Sequence, residues 1–393
     1  MMLLIFLCLA IVSGFISWAT CLLIKKIAPR VGLVDKPGFR KIHETPIPTG
    51  GGLGVWLGVL VPIAVITLAA LGYNVEKETI LGVSLARFPQ FVATHIGGVA
   101  ARLGQLWTLL GLGSILVVLG TIDDRKGLPW QLRLAVEFAV AIAAVAAGWR
   151  ATFFLECPVI TSIVSVFWIV GLVNSFNMLD NMDALSGGVA TICSLFLAAV
   201  AFAFAPNPLS GEPQYFLGGF LLILAGSILG FLKLNRPPAK IFMGDGGAYF
   251  IGFLLATTTL SITFVGDNTP KTAIFVPINI LAVPLYDTIS VVTIRLYHNV
   301  SPFVGDKNHY SHRLVALGLS KTQAVATIYL TTAICAIGAF FLYQVNLGTA
   351  ILVFVQTALI LVLVAILEFA ARKKIRQAYA QAQKEDPQET QEK

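Results

Sequence analysis

Residues 159–205 read VITSIVSVFWIVGLVNSFNMLDNMDALSGGVATICSLFLAAVAFAFA, two long apolar runs separated by a turn of Asn and Asp. As helices, 159–176 and 187–205 approach the length needed to cross about 30 Å of hydrocarbon. The turn carries Asn174, Asn177, Asp180, Asn181 and Asp183 but no Lys or Arg. Helical spacing puts Asn174, Asn177 and Asn181 at i, i+3 and i+7, which with Asp180 predicts one polar face at the end of an apolar helix. Oxygen-rich, uncompensated groups at that boundary suit a hard cation such as Mg²⁺, or the edge of a nucleobase.

The same alternation continues outward in both directions. Apolar runs recur at 3–24, 51–73, 105–122, 132–149, 215–232, 248–265, 273–294, 324–344 and 348–369. With the two above, this predicts an all-α, polytopic integral membrane protein of about eleven transmembrane helices. Composition agrees: 57% of residues are hydrophobic and 12% charged, about half the charged share of a soluble domain. The first run has no positive residue before it and Lys25-Lys26 directly after it, the charge order of an uncleaved span rather than a signal peptide. Cys8, Cys21, Cys193 and Cys335 lie inside apolar runs and Cys157 stands alone, so no disulfide framework or zinc cluster is indicated.

Charge orients the spans. One set of alternate loops, with the C-terminal tail, holds 22 of the 27 Lys and Arg residues. The positive-inside rule makes that set cytoplasmic, which puts the N-terminus outside and the C-terminus inside. This bias also accounts for the net charge of +7 without invoking nucleic acid. Segment 74–104 is the long loop of the other side and reads as resting on the membrane surface. The domain pattern is one transmembrane unit, 1–371, followed by a polar tail, 372–393, partly disordered.

Polar residues able to do chemistry gather in the loops assigned to the cytoplasm. The first loop carries Asp35, Arg40, Lys41 and His43 among three prolines and ends in Gly50-Gly51-Gly52; its cationic donors suit phosphate. The second opens with Asp123-Asp124, two adjacent carboxylates that require a metal, a cationic partner or a shared proton. Arg125 and Lys126 are ready neutralisers. The fourth loop holds Phe242, suited to stacking on a base, and Asp245 between glycines; the fifth holds His309, His312 and Arg313. Within the spans the ionisable candidates are Asp287 and Glu137, and Glu137 is expected to pair with Arg133 one turn earlier. No P-loop or dinucleotide-binding glycine motif is present.

In order, D-x-P-x-x-R-K-x-H-x-x-P-x-P-x-x-G-G, D-D, N-x-x-N-M-x-D-x-x-D, F-M-G-D-x-G and D-x-x-H-x-x-H-R resemble the polyprenyl-phosphate N-acetylhexosamine-1-phosphate transferases, glycosyltransferase family 4. The likeness runs from Asp35 to Ser320. The first loop and the H-x-x-H-R ending look like the branch that uses UDP-N-acetylglucosamine rather than phospho-N-acetylmuramoyl-pentapeptide transferase. Three positions depart from it: family members commonly have D-G-x-D-G-L where this chain has Asn181 and Ala184, and many have H-x-H-H-R where it has Ser311.

The resemblance implies Mg²⁺-dependent transfer (Mn²⁺ as substitute) of N-acetylhexosamine-1-phosphate from a UDP-N-acetylhexosamine to undecaprenyl phosphate, releasing UMP and initiating a cell-envelope glycan. It implies Asp245 and Asn177 as metal ligands. Asp123 and Asp124 stand at the acceptor phosphate as the catalytic pair, more for positioning than as base, since a phosphate monoester is already largely dianionic near neutral pH. Asp180, Asp183 and Phe242 hold the uridine, and Arg40, Lys41, His43, His309, His312 and Arg313 the phosphates. It implies a multi-pass protein of the bacterial inner membrane with a cytoplasmic site, and allows a homodimer. Two other classes compete: a transporter, which needs essential mid-membrane charges, and a relative that binds nucleotide sugar without turnover.

Overall fold

A chain in hydrocarbon must satisfy its own N–H and C=O groups, and a helix does so within one segment. All eleven apolar runs carry helix in the computed structural model, which describes residues 2–35, 46–74, 77–151, 157–204, 213–262, 270–302 and 308–385. Helix α1 (Met2–Val31) leads into a short antiparallel pair, β1 (Val34–Asp35) on β2 (Ile47–Pro48), and then α2 (Gly51–Leu71). Three two-residue strands, β3 (Tyr73–Asn74), β4 (Thr79–Ile80) and β5 (Val83–Ser84), form a small sheet before α3 (Gln90–Lys126). There follow α4 (Trp130–Ala146), α5 (Pro158–Leu179), α6 (Leu185–Ala203), α7 (Tyr215–Asn235) and α8 (Asp245–Ile262). The last part is α9 (Val276–Ile280), α10 (Ala282–Tyr297), α11 (Tyr310–Ala316), α12 (Lys321–Ile337) and α13 (Leu347–Glu385).

The chain is a helical, multi-pass membrane protein. Among the described residues eight helices are long and apolar enough to cross a bilayer, or nine if the pair 271–280 and 282–297, bent by 68°, counts as one span. The hydropathy pattern predicts eleven; α4, at 17 residues, is short, and α8 opens on a carboxylate. Helix α3 begins fifteen residues before its predicted start, because 90–104 continues it instead of lying apart as a surface loop. The C-terminal tail continues α13 as helix as far as Glu385. Large apolar side chains such as Leu4, Ile11 and Phe15 on α1, and Leu352, Leu359 and Leu363 on α13, face outward, as lipid contact requires.

Inside the bundle, close backbone approach replaces bulk. A Cβ on Gly226 would strike the Ala10 carbonyl, and one on Gly230 the Gly14 carbonyl, so α1 and α7 meet through glycine. Buried hydroxyls tie both helices to α2: Ser13 donates to the Gly58 carbonyl at 2.7 Å and Ser227 to that of Val55 at 2.7 Å. The same device sets the start of α8. Gly52 of α2 packs on Gly247, and Gly120 of α3 on Gly246, each so tightly that a Cβ would overlap backbone. Asp245 is thereby wedged between α2 and α3.

Candidate active site

At one end of the bundle α3 and α5 finish while α2, α4, α6 and α8 begin. The first N–H groups of a helix lack intrahelical partners. For α2 they are taken by the segment before α8: Gly51 donates to the Phe242 carbonyl and Gly52 to that of Met243, at 2.9 and 2.8 Å. Phe242 in turn donates its N–H to the Pro48 carbonyl at 2.9 Å. The end of the first loop and the F-M-G-D motif, nearly 200 residues apart, are thus one backbone unit. Phe242 is half-buried beside them. Arg40, Lys41 and His43 lie outside the described residues.

For α8 the N-terminal partner is Asp124, whose Oδ1 accepts the Asp245 N–H at 3.2 Å and meets the positive end of that helix. Gly244 makes the approach with φ +76, and a Cβ there would strike the Asp124 carboxylate. The Asp245 side chain receives a hydrogen bond from Asn177 Nδ2 at 2.8 Å on Oδ1 and faces Arg133 Nη1 at 3.6 Å on Oδ2. Arg133 also donates to Asp123 Oδ2 at 2.6 Å, and Leu128 N–H closes the α3–α4 turn onto Asp123 Oδ1. The cation paired with Asp123 is therefore Arg133, one turn into the next helix, while Asp124 is engaged by the start of α8 and Arg125 and Lys126 are exposed. Glu137 takes Asn174 instead of the expected Arg133.

The single polar face expected of 174–181 is broken by the end of α5. Asn174 and Asn177 lie on the helix, Asp180 is its cap with N–H on the Asn177 carbonyl, and Asn181 lies beyond. Asp183 Oδ2 accepts the Ala239 N–H at 2.9 Å, while Asn235 accepts Ala184 N–H and donates to the Ile241 carbonyl. These bonds pin the turn to the segment carrying Phe242. Ala184 adopts the left-handed conformation, φ +63, where the family has glycine. Its N–H on Asn235 and its carbonyl under the Tyr329 hydroxyl hold it there.

Asp180, in the loop, and Asp245, ahead of the apolar part of α8, are recessed among like charges. Burial first, then Asp245 and Asp183, push Asp180 up to about 7. Burial first, then Asp124 and Asp123, push Asp245 up to about 8. A cation beside these carboxylates would favour their charged form. Among the described residues no three His, Cys, Asp or Glu side chains gather as a metal cage. Of the groups that do converge, Asp245 offers carboxylate oxygens, and Asn177, which donates to it through Nδ2, also carries an amide oxygen, both hard ligands. One or two carboxylates completed by substrate phosphates is the arrangement Mg²⁺ favours.

The histidine motif lies on α11. His309 Nδ1 meets Asp287 Oδ2 at 2.9 Å, and Tyr310 N–H donates to Oδ1 at 2.6 Å, so the fully buried Asp287 of α10 caps α11. His312 is half-buried, its ring centroid 6.4 Å from that of His309. Arg313 turns away from solvent, 3% exposed: Nε donates to Glu368 at 2.7 Å, Nη2 to Ser290 at 2.9 Å and Nη1 to the Asn308 carbonyl. Its guanidinium also lies over the Tyr286 and Tyr310 rings. The structure thus gathers Asp123, Asp124, Asn177, Asp180 and Asp245, and ties Arg313 to α10 and α13. Sequence reasoning missed Arg133, whose partner is ten residues away across a Pro129 turn, and the pinning residues Asn235, Tyr329 and Glu368.

Residues 106–263 match the model of the family described as glycosyl transferase family 4. The chain is 31% identical over 356 residues, 87% of each chain, to a Bacillus subtilis protein named probable undecaprenyl-phosphate N-acetylglucosaminyl 1-phosphate transferase. It is 27% identical to the undecaprenyl-phosphate alpha-N-acetylglucosaminyl 1-phosphate transferase of Escherichia coli, over 79% of this chain and 77% of that one. To the decaprenyl-phosphate N-acetylglucosaminephosphotransferase of Mycobacterium tuberculosis it is 28% identical, over 80% and 77% respectively. Motif order, site geometry and these likenesses agree, and the chain belongs to glycosyl transferase family 4, the polyprenyl-phosphate N-acetylhexosamine-1-phosphate transferases.

Proposed function

We propose that this protein transfers N-acetylglucosamine-1-phosphate from UDP-N-acetylglucosamine to undecaprenyl phosphate, at the cytoplasmic face of a bacterial inner membrane. The observation that carries the reading is the convergence of Asp123, Asp124, Asn177 and Asp245 on one another and on Arg133 where helices end. An interfacial site is the one place that admits both a lipid phosphate from the bilayer and a nucleotide sugar from water. The charge bias of the loops supports a cytoplasmic face, with the N-terminus outside and the C-terminus inside.

In the proposed reaction an oxygen of the lipid phosphate forms a bond to the sugar-bearing phosphorus. The bond from that phosphorus to the bridging oxygen breaks, and UMP leaves with the electron pair. Little covalent work falls to the protein; positioning and charge do most of it. Asp123 holds the Arg133 guanidinium in place, and Arg133 offers its remaining donors to phosphate oxygens. Asp124 anchors the start of α8 and so aims Asp245. Asp245 and Asn177 would hold Mg²⁺, which when bound offsets charge on the pyrophosphate and leaving UMP. Phe242, Asp180 and His312 would line the nucleotide side. An Asp287 whose two oxygens are both taken, at 0% exposure, gives no support to a transport path.

The test is purified protein with undecaprenyl phosphate, Mg²⁺ and a panel of UDP-sugars, reading UMP release and the mass of the lipid product. UMP together with a lipid diphosphate N-acetylglucosamine product is expected. Nucleotide binding without lipid product would replace the proposal with a non-catalytic role, and sugar uptake into proteoliposomes without product would replace it with transport.

A further inference from the structure

Two of the three departures from the family pattern, Asn181 and Ser311, touch each other although 130 residues separate them. Ser311 Oγ donates to Asn181 Oδ1, and the Asn181 amide is oriented by its own Nδ2 on the Met178 carbonyl at 2.8 Å. Ser311 is 1% exposed, so its hydroxyl has no water to replace that acceptor. On one side of the bond, Asn181 directly follows Asp180, the cap of α5. On the other, Ser311 stands between His309, fastened to Asp287, and His312.

We infer that Asn181 and Ser311 are a matched positioning pair that sets the distance between the Asp180 turn and the His312 helix. The inference rests on the proposed reading that both elements border the nucleotide sugar. The steric argument has a sign. A histidine at 311 is far larger than serine and would enter a packed site already occupied by the Asn181 side chain. A glycine at 181 removes that side chain and opens the space. Histidine at 311 therefore fits with glycine at 181 and clashes with asparagine, while glycine at 181 leaves the buried Ser311 hydroxyl without its acceptor. Breaking the bond leaves Asp245, Asn177 and Arg133 untouched, so the effect belongs on donor binding rather than on turnover.

The experiment is a double-mutant cycle on UMP release with purified full-length protein. Asn181→Gly and Ser311→His singly are expected to raise the donor KM about tenfold, with kcat within about threefold, and the double variant to return to within about threefold of wild type. Additive losses in the double variant would overturn the pairing. So would a fall in kcat at unchanged KM, since that is a defect in the chemistry rather than in the donor side. Should Ser311→His fail to fold, judged by thermal unfolding in detergent, Asn181→Ala and Ser311→Ala decide: the double must lose no more than either single, and additivity again overturns the idea. A wild-type protein that releases no UMP would instead defeat the proposed function itself, and the two failures are distinct.

Discussion

The acidic end of α3, α5 and α8 and the histidine-arginine helix α11 are built from equally polar motifs, yet the structure treats their charges in opposite ways. Around α11 every strong charge described has a close partner: Asp287 with His309 and the Tyr310 N–H, Arg313 with Glu368. Asp287, Arg313 and Glu368 lie at or below 5% exposure. At the acidic end one guanidinium, Arg133, meets two carboxylates at 2.6 and 3.6 Å, and Asp180 and Asp245 are pushed toward neutral pH. A buried charge network that is satisfied specifies how helices dock. One that is short of positive charge holds stored repulsion that a cation relieves, which is where chemistry is expected.

The largest effect should come from Asp245→Asn. Loss of about 10³-fold in kcat for UMP release is expected, with the thermal midpoint in detergent unchanged or higher because a like charge has gone. Retained activity would reduce the acidic end to scaffold and erase the contrast. Next is Arg133→Gln, expected to cost about 10²-fold in kcat/KM because the one described cation bridging Asp123 and Asp245 is removed. A variant as active as wild type would mean that the phosphates do not meet this guanidinium.

Asp287→Asn tests the other side. It removes the charge that holds His309 and caps α11, so a stability loss of about 2–3 kcal/mol is expected, read as a lower thermal midpoint, with roughly tenfold lower activity. Activity lost with stability unchanged would move Asp287 into the reacting set. Smallest is Arg313→Lys, which keeps charge but loses the fork to Glu368, Ser290 and Asn308. The midpoint should fall by the equivalent of about 1–2 kcal/mol while the donor KM stays within about threefold. A large rise in KM at constant stability would restore the phosphate-binding role the motif suggests.

The contrast explains what could be read early. The helical runs, the membrane class and the set of motifs come from hydropathy and short spacing, which are local and survive any packing. The Asn/Asp turn after 174 stood out because acids with no Lys or Arg beside them at a membrane boundary are costly unless used, and the motif resemblance singled out Asp245 and the Asp-Asp pair. The partner of each charge was not legible. Arg133 sits at helical spacing from Glu137 and looks like its mate, yet the turn at Pro129 delivers it to Asp123. Arg313 reads as a phosphate donor and is instead closed onto α13, 55 residues on.

By itself, then, the sequence determined a multi-spanning helical protein of this transferase family, with its polar motifs gathered in the loops between apolar runs, because solvation by lipid acts on each segment separately. The tertiary structure alone decided which polar residues are joined: Asp124 to the start of α8, Asn177 to Asp245, Asn181 to Ser311. Those choices depend on helices brought together through glycine at contacts such as Gly120 on Gly246, and close packing is a property of pairs of segments that no single segment contains.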